Sequence, residues 1–262
     1  MKIAISGKGG VGKTLVAALL SRTFADSAYS VIAIDADPDA NLAATLGFPN
    51  AEKITPLAEM KTLIEERTGA RQNGFGAYFR LNPKVDDLPE KYFQEYNGVK
   101  LMVMGQIKRG GSGCYCPESA LLQALLNHLL IARDEVVVLD MEAGIEHLGR
   151  ATARAVDKLI VVVEPGKRSI ETAHRISKLA EDISLHNIAV VGNKIRSQSD
   201  KDFLLSSLSG FEFLGFIPYD QAIIDADLAD LSLIDSSWQV VNEVRNIYQA
   251  LLSSAQAPST TS

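Results

Sequence analysis

Cysteine is nearly absent from this chain: two of its 262 residues. That count excludes a disulfide framework and leads to the expectation of a cytoplasmic protein. Long hydrophobic runs are missing as well. No apolar stretch approaches the roughly 20 residues of a membrane-spanning helix, and the opening "MKIAIS" turns polar too early for a signal peptide. There is no excess of basic charge either. A net charge of −6 argues against a surface built mainly for nucleic acid or anionic lipid, so neither is expected as a partner.

The chain is instead 47% hydrophobic and 22% charged, an ordinary globular balance, and long enough to bury a sizeable core. Short runs rich in Val and Ile recur at 2–6, 31–35, 100–104, 136–140, 158–164, 187–194 and 211–218. Most are continuously apolar rather than alternating, as strands buried on both faces of a parallel sheet must be. Segments of helical length and period lie at about 13–27, 117–132, 144–156, 168–184, 200–209 and 238–253. This alternation predicts an α/β fold, a doubly wound, mostly parallel central sheet flanked by helices. Residues 1–253 are expected to form one domain and 254–262 a flexible tail. Residues 50–98 break the rhythm, with a helix expected near 56–67 and an irregular excursion over 68–98.

Directly after the first apolar run stands "GKGGVGKT", residues 7–14, followed by the helix-like "LVAALLSRTFA". G-x-x-x-x-G-K-[ST] between a strand and a helix is the pattern of a phosphate loop. Its glycines let the backbone curl until successive amides point inward, and the following helix offers its positive end to phosphate. The candidate binding set is Gly7, Gly9, Gly10, Val11, Gly12, Lys13, Thr14 and Leu15. Lys13 is suited to the β- and γ-phosphates, and the Thr14 hydroxyl to Mg²⁺.

Acids follow two further strands, where ligands of α/β sheets bind. Asp35 and Asp37 lie in "DADPDANLAATLG", and Asp140 ends "VVVLD". Asp140 reads as a Walker B aspartate holding a magnesium-bound water. A single aspartate in such a place serves equally well as a helix cap, but two at these stations behind a phosphate loop suit that reading poorly. In "VVGNKIR", Asn193 carries an amide that can both donate to and accept from adenine. Arg196 stands where a guanine-reading loop needs an acid, so ATP is expected rather than GTP.

The second loop lysine, Lys8, makes the motif more specific. It resembles the K-G-G-x-G-K-[ST] phosphate loop of the family that includes nitrogenase iron protein and the cell-division and partition ATPases. The resemblance implies that Lys8 reaches across a homodimer interface to the partner's nucleotide. It also implies that Asp37 lies beside the attacking water, with Asn41 near the Mg²⁺ water shell. Gly144 then belongs to a γ-phosphate-sensing switch, and Pro218 in "FIPYDQAI" flanks adenine.

Both cysteines, Cys114 and Cys116, fall in one turn, "GGSGCYCPE". Pro117 suits the first helical position, which makes Cys116 an N-cap and favours its thiolate. Two thiolates from one chain cannot close a tetrahedral site, but a two-fold dimer supplies two more. Soft ligands of this kind suit Zn²⁺ and can hold Ni²⁺. A membrane-positioning or DNA-partition ATPase would need basic residues near the C-terminus, where the last helix has a single arginine. A nitrogenase-like reductase needs two separated cysteines per subunit, and an iron–sulfur scaffold ATPase a C-terminal C-x-x-C. The set "GKGGVGKT", "DADPDANLA", "GCYCPE", "DMEAGIEHLGR" and "GNKI" resembles the CooC-type nickel-insertion ATPases, which mature carbon monoxide dehydrogenase. That resemblance implies a homodimer, ATP with Mg²⁺ at each loop, Ni²⁺ or Zn²⁺ between paired Cys114 and Cys116, and a nickel enzyme as client. The competing reading is a partition or positioning ATPase with incidental cysteines. His147 is read as a switch-segment residue rather than a ligand and His128 as a helix-face residue. Leucines 121, 122, 125, 126, 129 and 130 have helix-core spacing.

Overall fold

The computed structural model describes residues 1–70, 78–105, 116–145, 148–229 and 231–256. Cys114, His147, part of the 68–98 excursion and residues 257–262 of the expected tail lie outside the described residues.

Eight strands form one sheet: β1 (Lys2–Gly7), β2 (Val31–Ala36), β3 (Gln94–Tyr96), β4 (Val99–Val103), β5 (Val136–Met141), β6 (Lys158–Val163), β7 (Ile188–Ile195) and β8 (Glu212–Pro218). Their spatial order is β3-β4-β2-β5-β1-β6-β7-β8. All pairings are parallel except that of β3 with β4. The seven apolar runs are therefore the seven parallel strands. Their continuous Val/Ile character follows from burial on both faces, which is complete along β1, β2, β5 and β6.

Helices cover the two faces. α1 (Lys13–Asp26) and α10 (Trp238–Gln256) pack on one side, with Phe24 edge-on to Tyr248 between them. α5 (Pro117–Ile131), α7 (Lys167–Asp182) and α8 (Gln198–Ser207) pack on the other. The leucine stripe of α5 is fully buried in that second core, as its spacing requires.

Shorter helices complete the order: α2 (Leu42–Thr45), α3 (Lys61–Thr68), α4 (Leu88–Tyr92), α6 (Arg150–Ala153) and α9 (Gln221–Leu228). Two expected helices are corrected. Among the described residues, the one over 144–156 is reduced to the four residues of α6, which begins after Gly149. The one near 56–67 splits into a 3₁₀ turn at Leu57–Glu59 and α3, because Met60 leaves helical geometry at ψ 71°. β3 and the short helices α2, α4 and α9 were not foreseen.

Candidate functional site

β1, β2 and β5 are adjacent, so their C-terminal ends bring the phosphate loop, Asp35 and Asp140 together at one edge of the sheet. The loop leaves β1 at Gly7, whose φ is +151°. A Cβ there would collide with the carbonyl oxygen of Val162. Gly12 enters α1 with φ +92°, and a Cβ on it would strike Nδ2 of Asn193. Another residue at Gly7 would have to move the neighbouring strand, and one at Gly12 would meet a strained left-handed backbone and displace the Asn193 side chain. Val11 is fully buried beneath the loop. Gly12 supplies no side-chain cap, so the first amides of α1 are left for a ligand.

A cavity of about 770 Å³ opens above this loop. Gly9, Gly10, Gly12, Lys13, Thr14, Leu15, Asp37, Asn41, Asn193 and Pro218 all line it, so most of the residues singled out in the sequence converge. Lys13 is buried, with its Nζ 3.7 Å from Oδ2 of Asp37. Asp37 is itself oriented through its backbone. Its N–H donates to Oδ1 of Asp35 at 3.2 Å, while the Leu42 N–H donates to Oδ2 at 2.9 Å. One buried carboxylate thus fixes both ends of the turn that carries Asp37, and caps α2.

Asp35 and Asp140 are register partners on neighbouring strands. Burial, opposed by the Leu42 and Asp37 amides, raises Asp35 to about 6. Burial, with the charges of Asp35 and Asp37 adding to it, raises Asp140 to about 7. The Thr14 hydroxyl opposes that second shift, yet neither oxygen of Asp140 has a well-formed hydrogen bond. A buried carboxylate with two unmet oxygens beside a loop hydroxyl is a donor set suited to a hydrated cation.

Several groups at the site were not read from the sequence. Ser6, fully buried at the end of β1, donates to the carbonyl of Gly144 at 2.7 Å, and the Gly144 N–H turns back to the Glu142 carbonyl at 2.7 Å. Tyr219, next to Pro218, lines the cavity and lies under the Arg196 guanidinium at 4.4 Å. Lys8 does not line the cavity. Its Nζ lies 3.3 Å from Oε1 of Glu164, whose Oε2 is 3.3 Å from Lys194 Nζ. Asn193 turns its amide toward the loop, donating to the Val11 carbonyl at 2.7 Å while Oδ1 accepts from Lys194 N–H at 2.8 Å. Lys8, Gly144, Asn193 and Arg196 were read from the sequence; of Ser6, Glu164, Lys194 and Tyr219, which were not, only Tyr219 carried a signal, its place beside Pro218. The others are made by residues far apart in the chain.

Away from the cavity, Cys116 is the N-cap of α5, with Pro117 at the first helical position. Its Sγ accepts from the Ser119 N–H at 3.4 Å and lies 3.0 Å from the Ser119 hydroxyl. His128 sits half-buried on α5 and does not line the cavity.

The family model described as the CobQ/CobB/MinD/ParA nucleotide-binding domain matches residues 2–233. The chain belongs to this family. It is an ATPase of the MinD/ParA type, and its sequence identifies its relatives more narrowly than its fold does. It is 48% identical over 255 residues to the carbon monoxide dehydrogenase accessory protein CooC of Rhodospirillum rubrum, covering 96% of both chains. An uncharacterized ATP-binding protein of Methanocaldococcus jannaschii is 46% identical, covering 96% of this chain and 98% of that one. Among solved structures, MinD of Aquifex aeolicus superposes with a TM-score of 0.67 at 21% identity, covering 96% of each chain. A ParA-family ATPase from Chlorobium tepidum gives 0.67 at 17%, covering 95% and 97%. These two share the fold. Among the described residues, no helix is long and apolar enough to cross a membrane.

Proposed function

We propose that this chain is a cytoplasmic accessory ATPase that delivers nickel, as cargo, to carbon monoxide dehydrogenase or a related nickel enzyme. The observation that carries this reading is the placement of Cys116. Its sulfur caps a helix N-terminus and accepts from the Ser119 N–H, in a chain 48% identical to a CooC protein. With Cys114 it forms half of a four-thiolate site, and a second subunit supplies the other half.

In this reading, the loop amides and Lys13 hold the ATP phosphates, and Lys8 of each subunit reaches the nucleotide of the partner subunit. Asp37 orients the attacking water, and Asn193 and Pro218 border the base. Thr14 and Asp140 would hold Mg²⁺ with its water shell, and Asn41 stands near it. The orphaned Asp140 oxygens fit that assignment. The ion's contribution when bound is to neutralise charge on the phosphates. Closure of the dimer brings the two cysteine turns together, hydrolysis lets them part, and nucleotide and metal affinities are therefore reciprocally linked.

The test is elemental analysis combined with oligomer mass, with and without ATP, on parent protein and on Cys114→Ser plus Cys116→Ser. One nickel or zinc per two parent chains, lost in the double variant together with metal-dependent dimerisation, is the expected result. Metal-free monomer in every condition overturns it and favours an ATPase with incidental cysteines.

A further inference from the structure

In "VVGNKI", the residue after Asn193 has the less ordinary backbone. Lys194 has φ +58°, the left-handed region that a long side chain rarely adopts. The β7–β8 pairing shifts register twice, between Val190 and Val191 and again between Gly192 and Ile195, and residues 193 and 194 lie within the second shift. In a regular strand, consecutive side chains point to opposite faces. Here both reach the same target. Asn193 Nδ2 donates to the carbonyl of Val11 at 2.7 Å, and Lys194 Nζ donates to the carbonyl of Gly10 at 2.6 Å. Oε2 of Glu164 lies 3.3 Å from the same ammonium.

A loop that turns its N–H groups inward toward phosphate must turn carbonyls outward, and those carbonyls need donors. Two successive residues of β7 supply donors to two successive loop carbonyls. The left-handed backbone at Lys194 is what allows both to do so. We propose that Lys194 is a positioning residue for nucleotide binding: its ammonium clamps the Gly10 carbonyl and holds the loop amides in their phosphate-accepting arrangement before ATP arrives. The proposal rests on the phosphate-loop reading above and adds a residue to it.

The two roles open to Lys194, clamp and mere surface charge, separate in the nucleotide-free protein. Lys194→Met keeps the stem and removes the donor. Lys194→Gly removes the side chain and relaxes the left-handed backbone, so its thermal midpoint should equal or exceed that of the parent. Amide hydrogen exchange over residues 8–13, without nucleotide, is expected to quicken about tenfold in both variants, while the core of β7 is unchanged. Mg-ATP affinity by calorimetry should fall about fivefold to tenfold, with the kinetic loss falling on KM more than on kcat. Loop exchange equal to the parent's in both variants overturns the proposal, whatever happens to affinity, since a distant charge would not order an empty loop. A parent protein that bound no nucleotide would remove the phosphate-loop reading itself, a distinguishable failure.

Discussion

The Nζ of Lys8 lies 3.3 Å from Oε1 of Glu164 in its own chain, and both side chains are partly buried. In the proposed mechanism a lysine that acts on the partner's nucleotide would have to leave this contact, so the carboxylate would oppose dimer closure within each subunit. It also places negative charge beside the phosphate loop. Glu164→Gln should lower the ATP concentration needed for half-maximal dimer formation several-fold, measured by oligomer mass against ATP. A higher requirement would mean that Glu164 assists closure.

Asp140 is a buried carboxylate whose oxygens have no well-formed hydrogen bond. Its carboxyl ionises near 4 in an unfolded chain and at about 7 in the fold, where burial comes first and the Asp35 charge adds to it. A raised acid favours the folded state below the unfolded value and loses that advantage as pH rises through the folded one. Stability of the nucleotide-free protein should therefore fall between about pH 4 and 7, then level off. Asp140→Asn should reduce that slope, leaving the share that Asp35, raised to about 6, contributes, and stabilise the empty protein at pH 8 by on the order of 4 kcal/mol, while abolishing Mg-ATP hydrolysis. Urea titrations across the pH range provide the measurement, and a parent whose stability is flat over that window contradicts the assignment.

The sheet was legible because strands buried on both faces have to be continuously apolar, and seven such runs became seven parallel strands. β3 is the opposite case. Gln94, Glu95 and Tyr96 are all exposed, so no hydrophobic pattern marks them. The available signal was Asn97–Gly98, both at positive φ, which joins β3 to β4 as a two-residue hairpin turn. α2 was hidden for another reason. Its first amide is held by Asp35, seven residues earlier, so the cap is tertiary rather than local. Within the site, the loop and Asp140 followed from motif and strand position, and Asp37 from the family resemblance. Glu164 lies 156 residues from Lys8 and Ser6 138 from Gly144, and no spacing rule connects residues so far apart.

Arg67 anchors the irregular segment after α3. It makes a two-pronged ion pair with Asp87, both N–H···O contacts at 2.7 Å, and Lys91 adds a third at 2.7 Å. Those bonds, Arg67's first, hold the Asp87 carboxyl well below the usual range. The sign is opposite to that of Asp140: the pair stabilises above the ordinary carboxylate value near 4 and is lost as pH falls further. Asp87→Asn should lower the thermal midpoint by a few degrees at pH 7, with the difference from the parent shrinking toward pH 3. A gap that persisted in acid would assign the loss to packing around Arg67.

Ser119 offers a sharper probe of the metal reading than removal of a cysteine, because it touches the sulfur without being a ligand. Its N–H and hydroxyl both face Sγ of Cys116, and the hydroxyl is the one a substitution can remove. Hydrogen bonds of this kind orient a ligand and stabilise its charge, and losing one costs about tenfold or more in metal affinity. Ser119→Ala should therefore weaken nickel or zinc capture about tenfold in chelator competition, with ATP affinity of the metal-free protein unchanged. Ser119→Thr, which keeps the hydroxyl, should recover most of the loss. Metal affinity equal to the parent's in Ser119→Ala would mean that Cys116 is oriented by its helix alone, since the backbone N–H survives the substitution. An equal loss in the Ala and Thr variants would instead trace to packing at the start of α5.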